Sequence, residues 1–395
     1  MFSKTSIAHF NQLETPFYYY DLDLLQQTVA ACIAAAQPHN YHVHYALKAN
    51  FNPKVLQIIQ AAGMGADCVS GNEVKEAIAQ GFDKNKVVFA GVGKSDREIN
   101  AALDAEIFCF NVESVQELEI INELAAVKGK VARVAIRINP NVDAHTHHFI
   151  TTGLEENKFG INTWQLDDVI TTLKSCDNLD FTGIHFHVGS QITNLDVFKN
   201  LCGRVNELSN WFEQQNMPVK VLNVGGGLGV DYYQPDNNPI GDFNSFFKIY
   251  RDHLKVKPGQ EVHFELGRAL VAQSASLVSR VLYVKNGQKK NFLVLDAGMT
   301  ELIRPMLYQA YHHIENLTRL HGTEAATVNY DVVGPICEST DSFRTDVALP
   351  ESKRGDLIAV RTAGAYGEVM ASSYNLRDRV QSVYSTQTEL LDVQQ

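Results

Sequence analysis

The sequence predicts an α/β protein: a closed (β/α)8 TIM-type barrel with a second, mainly β domain. Three observations carry that prediction. Eight strand-like segments alternate with helical ones between about residues 43 and 265, and strands separated by helices make parallel sheets, with eight favouring closure. After about residue 270 the rhythm changes to strand-like runs with little helix between them. Polar residues also recur at the C-terminal ends of the alternating strands, where barrel enzymes assemble their sites.

Taken in order, FYYYDLDLL (17–25) reads as a short strand and a turn, and TVAACIAAAQ (28–37) as an alanine-rich helix. In YHVHYALKAN (41–50), Tyr41, Val43 and Tyr45 alternate with His42 and His44, the period of a strand. Further strands fall near 65–69, 87–91, 107–112, 133–138, 181–188, 220–225 and 261–265. Helices are expected at 71–81 and 114–129, with Ser70 or Asn72 placed to cap the first and Ser114 the second. A long insertion, 139–162, follows the fifth strand. Beyond it, SASLVSRVLYV, NFLVLDAG, VNYDVVGPI and DLIAVRTAG are strand-like, with one helical stretch at 301–319. The expected division is therefore 26–268 for the barrel and 1–25 with 269–395 for the β domain.

At 395 residues, 45% apolar and 20% charged, the composition is that of an ordinary globular chain. A net charge of −11 with scattered Lys and Arg argues against nucleic acid. No apolar run reaches the roughly 18 residues that span a membrane, and MFSKTSIAHFNQ lacks the apolar core of a signal peptide, so a cytoplasmic location is expected. Six cysteines without a CxxC pair read as free thiols, five of them core residues and Cys337 a case apart. The histidines of DAHTHHF (143–149) lack supporting Cys or carboxylate spacing, so no metal is expected.

Lys48, Asp67, His187, Gly225 to Gly227 and Glu265 all fall at the ends of expected strands. A lysine there either snorkels to water or is held as an amine nucleophile. The NVGGGLGV run (223–230) is a plain turn or a phosphate cradle, since glycines let backbone N–H groups approach an anion. Glu265 and Arg268 in FELGR form a rim ion pair, or a carboxylate and a guanidinium facing a cofactor. Of His185 and His187 one can be structural. Cys337 beside Glu338 is a buried structural cysteine or a proton-donating thiol. Arg304 and Tyr308 at i,i+4 would share a helix face, as a surface pair or a carboxylate clamp, and Tyr366 sits between glycines.

YALKAN, GADCVSGNE, FCFNVES, HVGSQI, GGGLG, LDAGM, RPMLY, YDVVGPICES and GAYG, in this order across roughly 15–380, resemble the diaminopimelate decarboxylase family, pyridoxal-phosphate enzymes with an alanine-racemase-like barrel. The resemblance implies that Lys48 is the Schiff-base lysine and that His187 lies on the ring face. It sets Glu265 at the pyridine nitrogen and Ser190, Gly225, Gly226, Gly227 and Arg268 near the phosphate, and Asp67 and Gly267 are also expected to bind the cofactor. Cys337 and Glu338 would reach into a partner subunit's site, making a homodimer with shared sites, and Cys337 would return the proton. Arg268, Arg304, Tyr308, Glu338 and Tyr366 would hold the substrate, Tyr366 also touching the cofactor. A site built for a second carboxylate would leave polar groups unpaired with lysine or ornithine, so meso-2,6-diaminopimelate, giving L-lysine and CO2, is the expected substrate.

Two departures stand out. Leu266 occupies the place of a usual proline, and Glu368 follows GAYG where a bulky apolar residue is more common. They leave open a relative acting on another diamino diacid or on carboxynorspermidine; separate rival readings are a decarboxylase of another basic amino acid and a non-catalytic regulatory homologue.

Overall fold

The computed structural model describes residues 2–142, 158–321, 326–385 and the backbone of 391–393. Most of the 139–162 insertion, including the three histidines of DAHTHHF, lies outside the described residues. The chain divides into two compact units, one of 29–229 with 241–268 and the other of 1–28, 230–240 and 269–395.

In order, the strands of the first half are β1 Phe17–Tyr20, β2 Tyr41–Ala46, β3 Gly65–Cys68, β4 Val87–Phe89, β5 Cys109–Val112, β6 Ala132–Arg137, β7 Leu179–His185, β8 Val221–Asn223 and β9 Glu261–Leu266. Strands β2 to β9 close into a parallel barrel, β9 returning to pair with β2. Helices follow the strands, as at 53–61, 71–79, 96–105, 115–127, 166–175, 196–214 and 243–253. Side chains start them: Asn52, Ser70 and Ser114 accept from backbone N–H groups two or three residues on, and Pro53 stands at the first helical position. Asn72 is inside its helix rather than capping it.

The alternation in β2 sets the site. Tyr41 turns outward onto Phe247 and Phe264, with ring centroids 5.8 and 5.0 Å away, and Phe264 also meets Tyr250 edge-on at 4.9 Å. Such pairs contribute about 0.5–1.5 kcal/mol each beyond area burial. The period of two then sends His42 and His44 inward. On β9 the same logic points Val262 and Phe264 outward and Glu261, His263 and Glu265 inward, so a run of polar side chains lines the barrel's interior.

The second unit is a nine-stranded sheet. Its further strands are β10 Ala275–Asn286, β11 Asn291–Leu295, β12 Ile314–Asn316, β13 Thr327–Val333, β14 Ser342–Pro350, β15 Leu357–Val360, β16 Gln381–Ser385 and β17 Leu391–Val393. The N-terminal β1 joins it between antiparallel β10 and parallel β16.

Three expectations are corrected. The helix after β1 starts at Leu22, so LDLL (22–25) is helix, not turn. The stretch 301–319 holds only a five-residue helix, Arg304–Tyr308, and then β12, because Pro305 suits a helix start while Gln309 adopts a left-handed conformation that ends it. Residues 230–240, expected in the barrel, cluster with the β unit: Asp236 pairs with Arg361 at 2.8 Å, and Tyr233 stacks on Tyr311 at 4.2 Å. All five cysteines expected in the core are buried, and Cys337 is exposed.

Candidate active site

At the C-terminal end of the barrel, Lys48 lies not on β2 but on the short 3-10 turn after it, Leu47–Ala49. Its Nζ is 3.3 Å from Asp67 Oδ2 on β3. Asp67 is fully buried, and its Oδ1 has no hydrogen-bond partner among the described residues. Burial, then the charge of Glu265, push its pKa up to about 7, with Lys48 acting against them. Gly267, just past β9, lets the exit of that strand lie against the lysine turn: a Cβ there would meet those of Ala49 and Ala46 at 3.0 and 3.1 Å.

Glu265 is held by three side chains from three other strands. Asn111 Nδ2 on β5 donates to its Oε1 at 3.0 Å and Asn223 Nδ2 on β8 at 2.7 Å, while His185 Nε2 on β7 meets Oε2 at 2.9 Å. Burial alone would raise its pKa. His185, through charge and hydrogen bond, and Lys48 outweigh that, holding the carboxyl well below the usual carboxylate range.

The glycine run is required sterically. A Cβ on Gly226 would lie 1.9 Å from the Glu265 carbonyl, and one on Gly225 2.3 Å from that of Phe186, while Gly227 has φ +110°. Asn223 Oδ1 accepts from Gly225 N at 3.0 Å while its Nδ2 holds Glu265, so one side chain links the turn to the carboxylate. His187, two residues beyond β7, accepts from Gly226 N at 3.5 Å. Burial first, then the cations Lys48 and Arg137, hold its pKa well below the ordinary value, so the ring is neutral. Arg268 donates to Ser190 Oγ from Nε at 3.3 Å and from Nη2 at 3.1 Å.

The barrel thus gathers Lys48, Asp67, His187, Ser190, Gly225–Gly227, Glu265, Gly267 and Arg268 at one end. Three further residues, Asn111, Asn223 and Arg137, escaped the sequence reading. Asn111 and Asn223 hold Glu265 together with His185, the histidine expected to be structural, and Arg137, buried and 2.7 Å from Glu113, adds positive charge near His187. Asn111 and Asn223 stand inside the FCFNVES and NVGGGLG runs, at inward strand positions that periodicity marks as sites for a polar side chain.

The remaining predicted residues belong to the β unit. Arg304 is buried, not on the surface. Its guanidinium lies 4.9 Å over the Tyr232 ring and donates to His312 Nε2 at 2.8 Å. His312 Nδ1 donates to the Arg361 carbonyl at 2.9 Å, which leaves Nε2 able to accept. Tyr308 is half-buried at the end of the same short helix. Tyr366 has φ +55°, an uncommon conformation for a tyrosine, between Gly364 and Gly367, where a Cβ would meet backbone oxygens at 2.0 and 2.3 Å. Cys337 is exposed, its N–H donating to Asn375 Oδ1 at 3.0 Å, so the buried structural reading of this thiol is excluded. Glu338, also exposed, accepts from Tyr374 at 2.6 Å. Glu368 accepts from Tyr20 and Ser382 inside the sheet unit, which accounts for a charged residue where an apolar one was expected. Leu266 is buried as the last residue of β9, opposite Tyr45.

A lysine amine paired with a buried carboxylate, an ionised acid at the foot of the site and a glycine cradle suit a pyridoxal cofactor, whose aldehyde, ring nitrogen and phosphate each find a matching group. Residues 25–272 match the family described as pyridoxal-dependent decarboxylase, pyridoxal binding domain. The chain belongs to that family of pyridoxal-phosphate enzymes. Within it, a diaminopimelate decarboxylase of Bacteroides thetaiotaomicron is 57% identical over 94% of this chain and 96% of its own. One of Vibrio cholerae is 42% identical, over 94% and 88%. The crystal structure of diaminopimelate decarboxylase from Helicobacter pylori complexed with L-lysine superposes with TM-score 0.89 at 36% identity, covering 98% of this chain and 95% of that one.

Proposed function

We propose that this chain decarboxylates meso-2,6-diaminopimelate to L-lysine and CO2. The observation that carries the chemistry is Glu265, kept ionised by three donors at the foot of the site. Pyridoxal phosphate, when bound, supplies an electron sink for the pair released as the carboxylate departs. Lys48 would hold the cofactor at its aldehyde carbon, with Asp67 beside the amine. Glu265 would keep a proton on the ring nitrogen, the neutral face of His187 would support the ring, and Gly225–Gly227, Ser190 and Arg268 would take the phosphate.

The substrate needs a carboxylate clamp at its far end. Arg304 suits that role because His312 fixes its fork and Tyr232 backs it. Tyr308, Glu338, Tyr366 and Arg268 complete the proposed substrate set. The scissile C–C bond breaks, CO2 leaves, and one proton returns to the carbon. Cys337 is proposed as its donor, from the partner subunit of a homodimer. Its exposure and that of Glu338 support the reading, since both are accessible to another chain's site. A reducing, cytoplasmic setting agrees with six free thiols, and no described helix is long and apolar enough to cross a membrane.

The test is CO2 release from meso-diaminopimelate, L-lysine, L-ornithine and carboxynorspermidine side by side. Release from diaminopimelate alone, with L-lysine formed, is expected. Release from another compound would keep the chemistry and overturn the roles of Arg304, Tyr308 and Glu338. For the shared site, mixing inactive Lys48→Ala and Cys337→Ala proteins should restore about a quarter of wild-type activity, because half of randomly mixed dimers are hybrids with one intact site. No recovery would place Cys337 within its own subunit's site, and an active Cys337→Ala protein would put it outside the reaction.

A further inference from the structure

The opposite, N-terminal end of the barrel holds a cluster that decarboxylation does not use. β2 and β9 pair in register there, His42 opposite His263, and Glu261 precedes His263 by two residues on the same inward face. One donor atom from each of His42, Glu261 and His263 lies within 4.8 Å of the other two.

Hydrogen-bond bookkeeping shows what is missing. The Lys86 carbonyl can only accept, so His44 Nδ1 donates to it at 2.9 Å. Neutral His44 then accepts at Nε2, which lies 2.8 Å from His263 Nδ1, so that nitrogen carries the proton. In its uncharged form His263 would present a lone pair on Nε2, 3.2 Å from Glu261 Oε2, so that two acceptors would face each other with a place for a positive charge between them. A proton would serve that pair alone. It would leave His42 Nε2 buried without a hydrogen-bond partner among the described residues. The Lys86 ammonium is turned elsewhere, donating to the Gly63 carbonyl at 3.0 Å.

We propose that His42, Glu261 and His263 form a divalent-cation site of the zinc class that ties the first barrel strand to the last, with His44 fixing the ligating tautomer of His263. Two imidazoles and a carboxylate, with a fourth position for water, suit Zn²⁺. Bonds of about 2.0–2.1 Å in a tetrahedron separate ligand atoms by about 3.4 Å, and the His263–Glu261 pair is already at 3.2 Å. His44 supplies the outer hydrogen bond that metal-bound histidines usually make. Entry is open: Glu261 is 51% exposed, and a cavity of about 520 Å³ reaches His42, His44 and His263.

The test uses the cofactor-loaded protein, treated with chelator, dialysed and titrated with zinc chloride, reading bound zinc by elemental analysis and thermal unfolding by calorimetry. One equivalent is expected, with Tm raised by about 5 °C at saturation. Glu261→Gln, at an exposed position that should not disturb folding, and His42→Asn should each weaken zinc binding at least about 10-fold and abolish the Tm shift. Failure of the wild type to bind zinc would overturn the proposal. So would a wild-type affinity and shift in either variant, because the ion would then sit elsewhere.

Discussion

The two ends of the barrel each place a carboxylate against a histidine, and the two pairs differ in what surrounds them. Glu265 accepts from His185, Asn111 and Asn223, so its charge is satisfied by the protein alone. Glu261 meets the lone-pair side of His263, and the nearby His42 Nε2 has no hydrogen-bond partner among the described residues. Residue type therefore does not decide the chemistry of a carboxylate–histidine pair; the donors supplied by neighbouring strands do. Hydrogen bonds to a charged group are worth about 1.5–3 kcal/mol each. The upper carboxylate is built to stay anionic, and the lower pair is built to receive a cation.

The largest effect belongs to the upper end. Lys48→Ala should leave no measurable turnover and no cofactor retained through gel filtration, while zinc binding below is untouched; turnover in that variant would move the essential amine elsewhere. Glu265→Gln keeps the shape and removes the charge, and should lower kcat by roughly 10²–10³-fold. An unchanged kcat would mean that the ionised acid is not what the chemistry needs. Asn223→Ala takes one donor from Glu265 and the link to Gly225, and should cost about 1.5–3 kcal/mol in denaturant unfolding as well as cofactor affinity. A neutral result would detach the glycine turn from the acid.

A smaller effect tests Asp67 through pH. Its folded-state pKa of about 7 exceeds the ordinary value of 3.8, chiefly through burial. Between those values the folded chain keeps a proton that the unfolded chain has lost, so this carboxyl erodes stability as pH rises from about 4 to 7. Asp67→Asn, neutral throughout, should gain on the wild type across that window in cofactor-free protein. A difference that stays constant with pH would show an ordinary carboxyl.

Much of this was legible in the sequence because barrels repeat a simple pattern. Eight apolar runs at helix-separated spacing marked the strands, and four polar residues and a glycine run at their ends marked the face where the structure gathers them. Cys337 and Glu338 were visible because they stand in a turn. What stayed hidden depends on closure. Asn111, His185 and Asn223 meet Glu265 only when β5, β7, β8 and β9 curve into one ring, and no local pattern states that. His42 meets Glu261 and His263 only where the last strand returns to the first. The segment 230–240 was misplaced for a related reason: its partners Arg361 and Tyr311 lie far along the chain.

Asn223 has one more consequence. Because it bonds both Glu265 and the Gly225 amide, and because Gly226 leaves no room for a Cβ beside the Glu265 carbonyl, acid and cradle sit at a fixed separation, like the jaws of a caliper. Under the proposed roles, the site measures the length of its cofactor from ring nitrogen to phosphate. An analogue lengthened by one methylene between ring and phosphate, carrying every functional group of the natural cofactor, should therefore be refused.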